Sequence, residues 1–190
     1  MLVALVLLAA LPAVAAPLPA TPADDFGPYY PPDWRGEIDP DLTRFGGAPA
    51  AGERLRLSGV VREQSGRPVV DAVVEIWQAD GGGRYRHPGV PESLRDRSFQ
   101  GYGRSTTDAS GRYEFITVMP GHYGGRPPHI HFRLAQPGRA EFVTQMYFRG
   151  DNREGGRVGE LPAGRERLSV ELKSDSVAGG MSAHFDLVLP

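Results

Sequence analysis

No cysteine occurs in the 190 residues. Disulfides, zinc ribbons, iron–sulfur clusters and thiol nucleophiles are thereby excluded. A metal site would have to be built from His, Asp, Glu and Tyr. Charge of one sign is not in excess either: 21 Lys and Arg stand against 23 Asp and Glu. A nucleic-acid-binding surface is therefore not expected. No segment carries the period of an amphipathic helix, and the uncharged apolar run Leu2 to Leu11 is too short to span a bilayer. What the chain does have is punctuation. Its 25 Gly and 18 Pro make up nearly a quarter of the residues, about twice the usual share. That is too much for a helical bundle, and the glycines lack the fixed period of collagen. Hydrophobic residues at 40% suit one packed domain.

The N-terminus reads as a secretory leader over residues 1–16. Pro12 ends the apolar run, and Ala13-Val14-Ala15 followed by Ala16 fits a small-residue cleavage site. No Lys or Arg follows Met1, so the basic region of such leaders is reduced to the amino terminus. The bland alternative is a buried N-terminal strand or helix. A leader would put the mature chain in the periplasm or outside the cell.

Residues 17–53 are rich in Pro, Gly and acidic side chains, with Tyr29, Tyr30 and Trp34 embedded. They are expected to form an extended arm laid over the core, with no sheet of their own. From residue 54 to 190 the pattern has a period of two and predicts strands. Leu55 and Leu57 alternate with Arg56 and Ser58, and further strands are expected at Ala72–Gln78, Arg104–Thr107, Tyr113–Phe115, His129–Leu134, Val143–Phe148, Leu168–Leu172 and His184–Leu189. Turns fall at Gln64–Pro68 and Asp108–Gly111. The expected class is all-β, an antiparallel β-sandwich with an extended N-terminal arm. That scaffold alone reveals no activity; many non-catalytic binding or spacer modules share it.

The chemistry lies in Tyr85 and in Tyr123 to His131. In a strand, His129, His131 and Arg133 share one face and Ile130, Phe132 and Leu134 the other. The apolar face can pack in a core while the other presents two imidazoles roughly 7 Å apart at Cβ. Such a pair equally fits two hydrogen-bonded histidines with no metal. Upstream, Gly121, Gly124 and Gly125 allow a sharp approach, and Pro127-Pro128 fix the entry into the strand. Tyr123 is thereby held near the histidines, and a second tyrosine, Tyr85, follows Gly81-Gly82-Gly83. Tyrosine, with a free pKa of about 10, ligates as phenolate only where a strong Lewis acid holds it. Phenolate with imidazole favours ferric iron over zinc or copper(I). A trivalent ion with two phenolates keeps one positive charge, which a single further anion cancels, so the site can be buried.

Over about half the chain, Leu55 to Asp151, the residues resemble the intradiol ring-cleavage dioxygenases. The resemblance is carried by Glu75-Ile76-Trp77-Gln78-Ala79-Asp80, Gly83-Arg84-Tyr85-Arg86-His87, Thr107-Asp108-x-x-Gly111-x-Tyr113, Pro120-Gly121-x-Tyr123, Arg126-Pro127-Pro128-His129-Ile130-His131-Phe132 and Thr144-Gln145-Met146-Tyr147-Phe148-x-Gly150-Asp151. No one of these is specific; together they are. The resemblance implies Fe(3+) held by Tyr85, Tyr123, His129 and His131. It implies a catechol-type substrate and O2, with both oxygen atoms entering a muconate-type diacid. Tyr123 is implied to take a substrate proton, Arg126 to stabilise negative charge on the ring, and Gln145 to orient an intermediate. Gly27-Pro28-Tyr29-Tyr30 resembles the segment lining the pocket mouth in that family.

Only Gly124 and Gly125 separate Tyr123 from Arg126, where well-studied members have a longer loop, so a more open site is expected. Catechol, protocatechuate, hydroxyquinol and larger lignin-derived catechols fit the pattern alike, and a homo-oligomer is compatible with it. Arg84, Arg86 and Arg104 are candidates to receive a carboxylated substrate. His122 is a candidate donor beside Tyr123, and Trp77 and Phe132 read as core. Two rivals stand beside the enzyme: a β-sandwich binding module without the reaction, and a copper or zinc binder using His129, His131 and His87.

Overall fold

The computed structural model describes residues 16–31, 34, 36, 38–149 and 164–190. The expected leader, apart from Ala16, lies outside the described residues, as does the Gly150-Asp151 end of the last motif. Among the described residues ten strands follow the arm: β1 (Arg54–Glu63), β2 (Val73–Trp77), β3 (Tyr102–Thr106), β4 (Arg112–Val118), β5 (His129–Ala135), β6 (Phe142–Arg149), β7 (Ser169–Glu171), β8 (Lys173–Ser174), β9 (Met181–His184) and β10 (Leu187–Leu189). Helix among the described residues is confined to single 3-10 turns such as Phe45–Gly47 and Glu92–Leu94.

The strands form two sheets packed face to face. In the first, β1 is central, with β4 on one side and β9 and β10 on the other; in the second the order is β3-β2-β5-β6-β7. The sandwich is as expected, and its sheets are mixed: β1 runs parallel to β9 and β10, and β6 parallel to β7. Between the sheets lies the main core, to which β1 gives Leu55 and Leu57, β2 Val74 and Ile76, β4 Phe115, and β5 Ile130, Phe132 and Leu134. Burying such side chains contributes about 1.5–3 kcal/mol each.

Two expected strands differ. His184–Leu189 is split, because Phe185 N–H donates to the Ser58 carbonyl at 2.9 Å and the Asp186 side chain takes the Val60 N–H at 2.8 Å. A carboxylate there replaces a main-chain acceptor, and the ladder is interrupted. Leu168–Leu172 is strand only over Ser169–Glu171, since a 3-10 turn, Glu166–Leu168, precedes it.

The arm has no sheet of its own. It runs along edges: Thr21 N–H donates to the Val188 carbonyl, Asp24 N–H to the Val143 carbonyl on β6, and Leu42 N–H to the Ile116 carbonyl on β4. Its middle, Asp24–Tyr30, crosses the outer face of the second sheet. That face carries the site.

Candidate active site

Cross-strand register sets the site in rows. Tyr102, Trp77, His131 and Gln145 are successive partners across β3, β2, β5 and β6; Arg104, Glu75, Arg133 and Val143 form the next row; and His129 is paired with Tyr147. Side chains of directly paired residues share a face. One strand alternation thus puts the apolar residues of β5 in the core and its imidazoles on the outer face, yet His129 and His131 are only 3% and 2% exposed because the arm covers them.

The two tyrosines arrive on separate loops that lock together. Asp80, buried, accepts N–H bonds from Gly82 and Arg84 on Oδ1 and from Asp96 on Oδ2, which shapes the turn leading to Tyr85. The Asp80 carbonyl accepts from Gly121 N–H at 2.9 Å, in the loop that carries Tyr123. The loops touch so closely that a Cβ on Gly83 would sit 2.0 Å from the His122 carbonyl oxygen, and one on Gly121 2.4 Å from the Gly83 nitrogen. Only glycine permits that approach. After Tyr123, the turn Gly124-Gly125, with φ of 54° and 76°, returns the chain, and Arg126 N–H donates to the Tyr123 carbonyl at 2.7 Å. Both turn glycines are exposed and face open space, in keeping with the expected open mouth.

The four expected ligands are brought together. Tyr85 Oη lies 3.1 Å from His129 Nε2. The Tyr85 ring is edge-on to Tyr123 at 5.3 Å and to His131 at 6.2 Å, and the two imidazoles are 4.9 Å apart between centroids. His129 Nδ1 is 2.8 Å from the Pro127 carbonyl. A proton on Nδ1 therefore donates there and leaves Nε2 as the acceptor of the Tyr85 hydroxyl. His131 Nδ1 is buried without a hydrogen-bond partner. Burial pushes His129 down to about 4. Burial, His129 and Arg126 push His131 down to about 3, so both rings are neutral at neutral pH, the state that ligates. Burial pushes the Tyr85 phenol up, and the hydrogen bond with Tyr29 does the same to Tyr123. Each phenol is then neutral unless a cation compensates. Among the described residues no group of three or more His, Asp or Glu side chains converges as a metal site. The donor set that does converge is two phenols and two imidazoles, and its chemistry fits a hard trivalent ion.

Arg126 and Gln145 also meet. Arg126 Nη2 donates to Gln145 Oε1 at 2.7 Å and to Tyr147 Oη at 3.2 Å, and Gln145 Nε2 donates to the Asp25 carbonyl at 2.6 Å. The arm adds a third phenol: Tyr29 Oη is hydrogen-bonded to Tyr123 Oη, and its ring stacks on Tyr85 at 4.7 Å. Beside it Tyr30 meets Trp77 edge-on and donates to Glu75 Oε2 at 3.0 Å.

Other expectations are corrected. Arg104 is held in an ion pair: Nη2 donates to buried Glu75 at 2.7 Å, and Arg133 takes the other oxygen at 2.6 Å. Arg86 lies over the Phe45 ring at 4.1 Å, and exposed Arg84 points at the Gly82 and Gly83 carbonyls. His122 is exposed, and His87 Nδ1 accepts the Gly89 N–H while its ring stands edge-on to Tyr29 at 5.2 Å. Trp77 is buried, but against the site, its ring stacked on His131 at 4.7 Å. Tyr147, Asp24 and Arg165 were not expected. Alternation from Gln145 would have put Tyr147 on this face; no local pattern points to the other two.

A family model described as Dioxygenase matches residues 26–190, farther in both directions than the motif span. The protocatechuate 3,4-dioxygenase beta chain of Burkholderia cepacia is 37% identical over an alignment covering 91% of this chain and 80% of its own. Chlorocatechol 1,2-dioxygenase of Rhodococcus opacus is 31% identical over 53% of this chain, which spans 45% of that relative's length. Among solved structures, the dioxygenase domain of a dioxygenase carbohydrate-binding protein fusion from Streptomyces sp. SirexAA-E superposes with a TM-score of 0.69 at 30% identity, covering 90% of this chain and 97% of that one.

Proposed function

The chain belongs to the intradiol ring-cleavage dioxygenase family, and from that premise we propose a non-haem iron(III) enzyme that opens a catechol-type ring between its hydroxylated carbons to a muconate-type diacid. One observation carries the reading: Tyr85, Tyr123, His129 and His131 converge from three chain segments in a face otherwise sealed by the arm. These four would hold the ion, which when bound supplies Lewis-acid activation of the diolate toward O2.

The chain's own residues do the rest. His129 and His131 are neutral donors, oriented by the Pro127 carbonyl and by stacking on Trp77. Tyr123, at the rim and already paired with Tyr29, holds one of the two protons the diol must give up. Arg126 is a fixed cation for the negative charge that develops on the ring, and fixed charge in a water-poor site is worth more than in water. Gln145 orients Arg126 and spans to the arm. The exposed Gly124-Gly125 turn leaves the rim open for ring substituents.

An oxygen-electrode screen of the iron-loaded protein with catechol, protocatechuate, hydroxyquinol and larger lignin-derived catechols tests the reading. Uptake of one O2 per ring, with both atoms of labelled O2 in the diacid, is the expected result. No uptake with any of them contradicts it. We also place the mature protein outside the cytoplasm, on the strength of the Leu2–Leu11 run and the Ala13-Val14-Ala15 site. A secreted form beginning at Ala16 or Pro17 is expected, and an intact N-terminus in the cytoplasm contradicts it.

A further inference from the structure

We propose that Asp24, clamped by Arg165, is a positioning residue for Arg126, acting through Tyr147 and Gln145. The inference rests on the reading above, which puts Arg126 beside the reacting ring.

Asp24 sits in an arm whose neighbours Ala23, Asp25 and Phe26 are exposed, yet its own side chain is 5% exposed. A carboxylate is buried at high cost unless fully paired. Arg165 supplies the pairing in fork geometry, Nε to Oδ2 and Nη2 to Oδ1, each at 2.5 Å. The same guanidinium lies 5.7 Å over the ring of Tyr147. Tyr147 is thus gripped twice, at its face by Arg165 and at its hydroxyl by Asp24.

The hydroxyl decides the consequence. Tyr147 Oη is 2.8 Å from Gln145 Oε1 and 3.2 Å from Asp24 Oδ2, and it carries one proton for two acceptors. Arg126 Nη2 seeks the same Gln145 oxygen and the Tyr147 oxygen. With a full negative charge on Asp24, the Tyr147 proton is drawn toward the carboxylate. Gln145 Oε1 and Tyr147 Oη are then both open to Arg126. Without that charge the proton turns to Gln145 Oε1, which then divides its two lone pairs between Tyr147 and Arg126 and holds the guanidinium less firmly. The Gln145 amide cannot turn its oxygen aside, because Nε2 is committed to the Asp25 carbonyl. Asp24 and Asp25, adjacent in the arm, thereby set both halves of the cradle that aims the guanidinium.

The test is Asp24→Asn in the mature protein, alone and combined with Arg126→Gln. Two readouts are taken: side-chain nitrogen NMR of the arginines in the iron-free protein, with the Arg126 signal assigned by its loss in Arg126→Gln, and kcat and KM of the iron-loaded enzyme. Hindered rotation of the Arg126 guanidinium is expected in the wild type and free rotation in Asp24→Asn. We expect kcat to fall about tenfold, KM to stay within about twofold, and no further loss in the Arg126→Gln background. Should Asp24→Asn fail to fold, Arg165→Met keeps the carboxylate, frees it to swing from Tyr147, and is read the same way. An unchanged Arg126 signal overturns the proposal. So does an equal loss of kcat with and without Arg126, which would make Asp24 a tether for the arm. A wild type that takes up no oxygen while its Arg126 signal still responds to Asp24→Asn would sink the enzymatic reading instead.

Discussion

The two faces of the β2-β5-β6 sheet are almost equally dry and held by different physics. Inward, Ile76, Ile130 and Phe132 are 0% exposed; outward, Glu75, His131 and Gln145 are 1%, 2% and 0% exposed. Depth of burial does not separate them. The inward groups need only close packing, which many apolar side chains could supply. Each outward group needs a named partner, because an unmet polar group in a dry place is costly. On this face the pairing runs through the proposed ligands themselves: the Tyr85 hydroxyl meets His129 Nε2 at 3.1 Å, a contact that an ion bound there would replace, while His131 Nδ1 is buried without a hydrogen-bond partner.

That contrast is broken most sharply at Tyr85. Tyr85→Phe removes one oxygen and little volume. It is expected to cut kcat/KM by about a thousandfold or more, roughly 4 kcal/mol of transition-state stabilisation, with iron retention lost alongside. Urea unfolding of the iron-free variant should shift by no more than about 1 kcal/mol. A stable, fully active Tyr85→Phe protein would contradict its assigned role. The opposite face should answer in reverse. Phe132→Ala is expected to lower stability by about 3–5 kcal/mol, and whatever remains folded in the cold should still bind iron.

Acid sharpens the comparison. His129 and His131 are held near 4 and 3, well below the ordinary imidazole value of 6.5. Above pH 6.5 both folded and unfolded chains leave them neutral. As the pH falls below 6.5 the unfolded chain takes protons that the folded one refuses, so iron-free stability should drop, by about 3 kcal/mol for His129 on reaching pH 4. Asp24 and Glu75, whose carboxyls arginines and hydrogen bonds hold below their usual range despite burial, lose their contribution only at lower pH. The window from pH 6.5 to 4.5 therefore belongs to the imidazoles. Flat urea midpoints across it would contradict their burial. The smallest effect is expected at Glu75. Glu75→Gln leaves Arg104 and Arg133 without their shared charge, but both arginines reach water and Arg133 keeps Glu141. A loss of about 2 kcal/mol is expected, with Tyr30 and the arm loosened, as amide exchange would report.

How much of this was legible in the chain follows the same division. Alternation placed Ile130, Phe132 and Leu134 inward and the two histidines outward, and the strand pattern gave the sandwich. Tyr85, Tyr123, Arg126 and Gln145 were legible as chemistry, through tyrosine beside imidazole and through motif resemblance. What was hidden depends on contacts far apart in sequence. Arg104 looked free because Glu75 reaches it only across a strand pair. The split of the last strand needs Asp186 to meet Val60. Asp24 gains its meaning from Arg165, 141 residues on, and no periodicity governs an arm whose path is set by the edges it covers.

The central claim, two phenolates and two imidazoles around trivalent iron, is tested most directly by the visible spectrum of the iron-loaded protein. An intense phenolate-to-iron charge-transfer band is predicted, giving a burgundy solution, shifted and weakened in Tyr123→Phe and gone in the double variant Tyr85→Phe with Tyr123→Phe. A protein that holds stoichiometric iron and stays colourless, or one whose band survives loss of both tyrosines, would contradict the account.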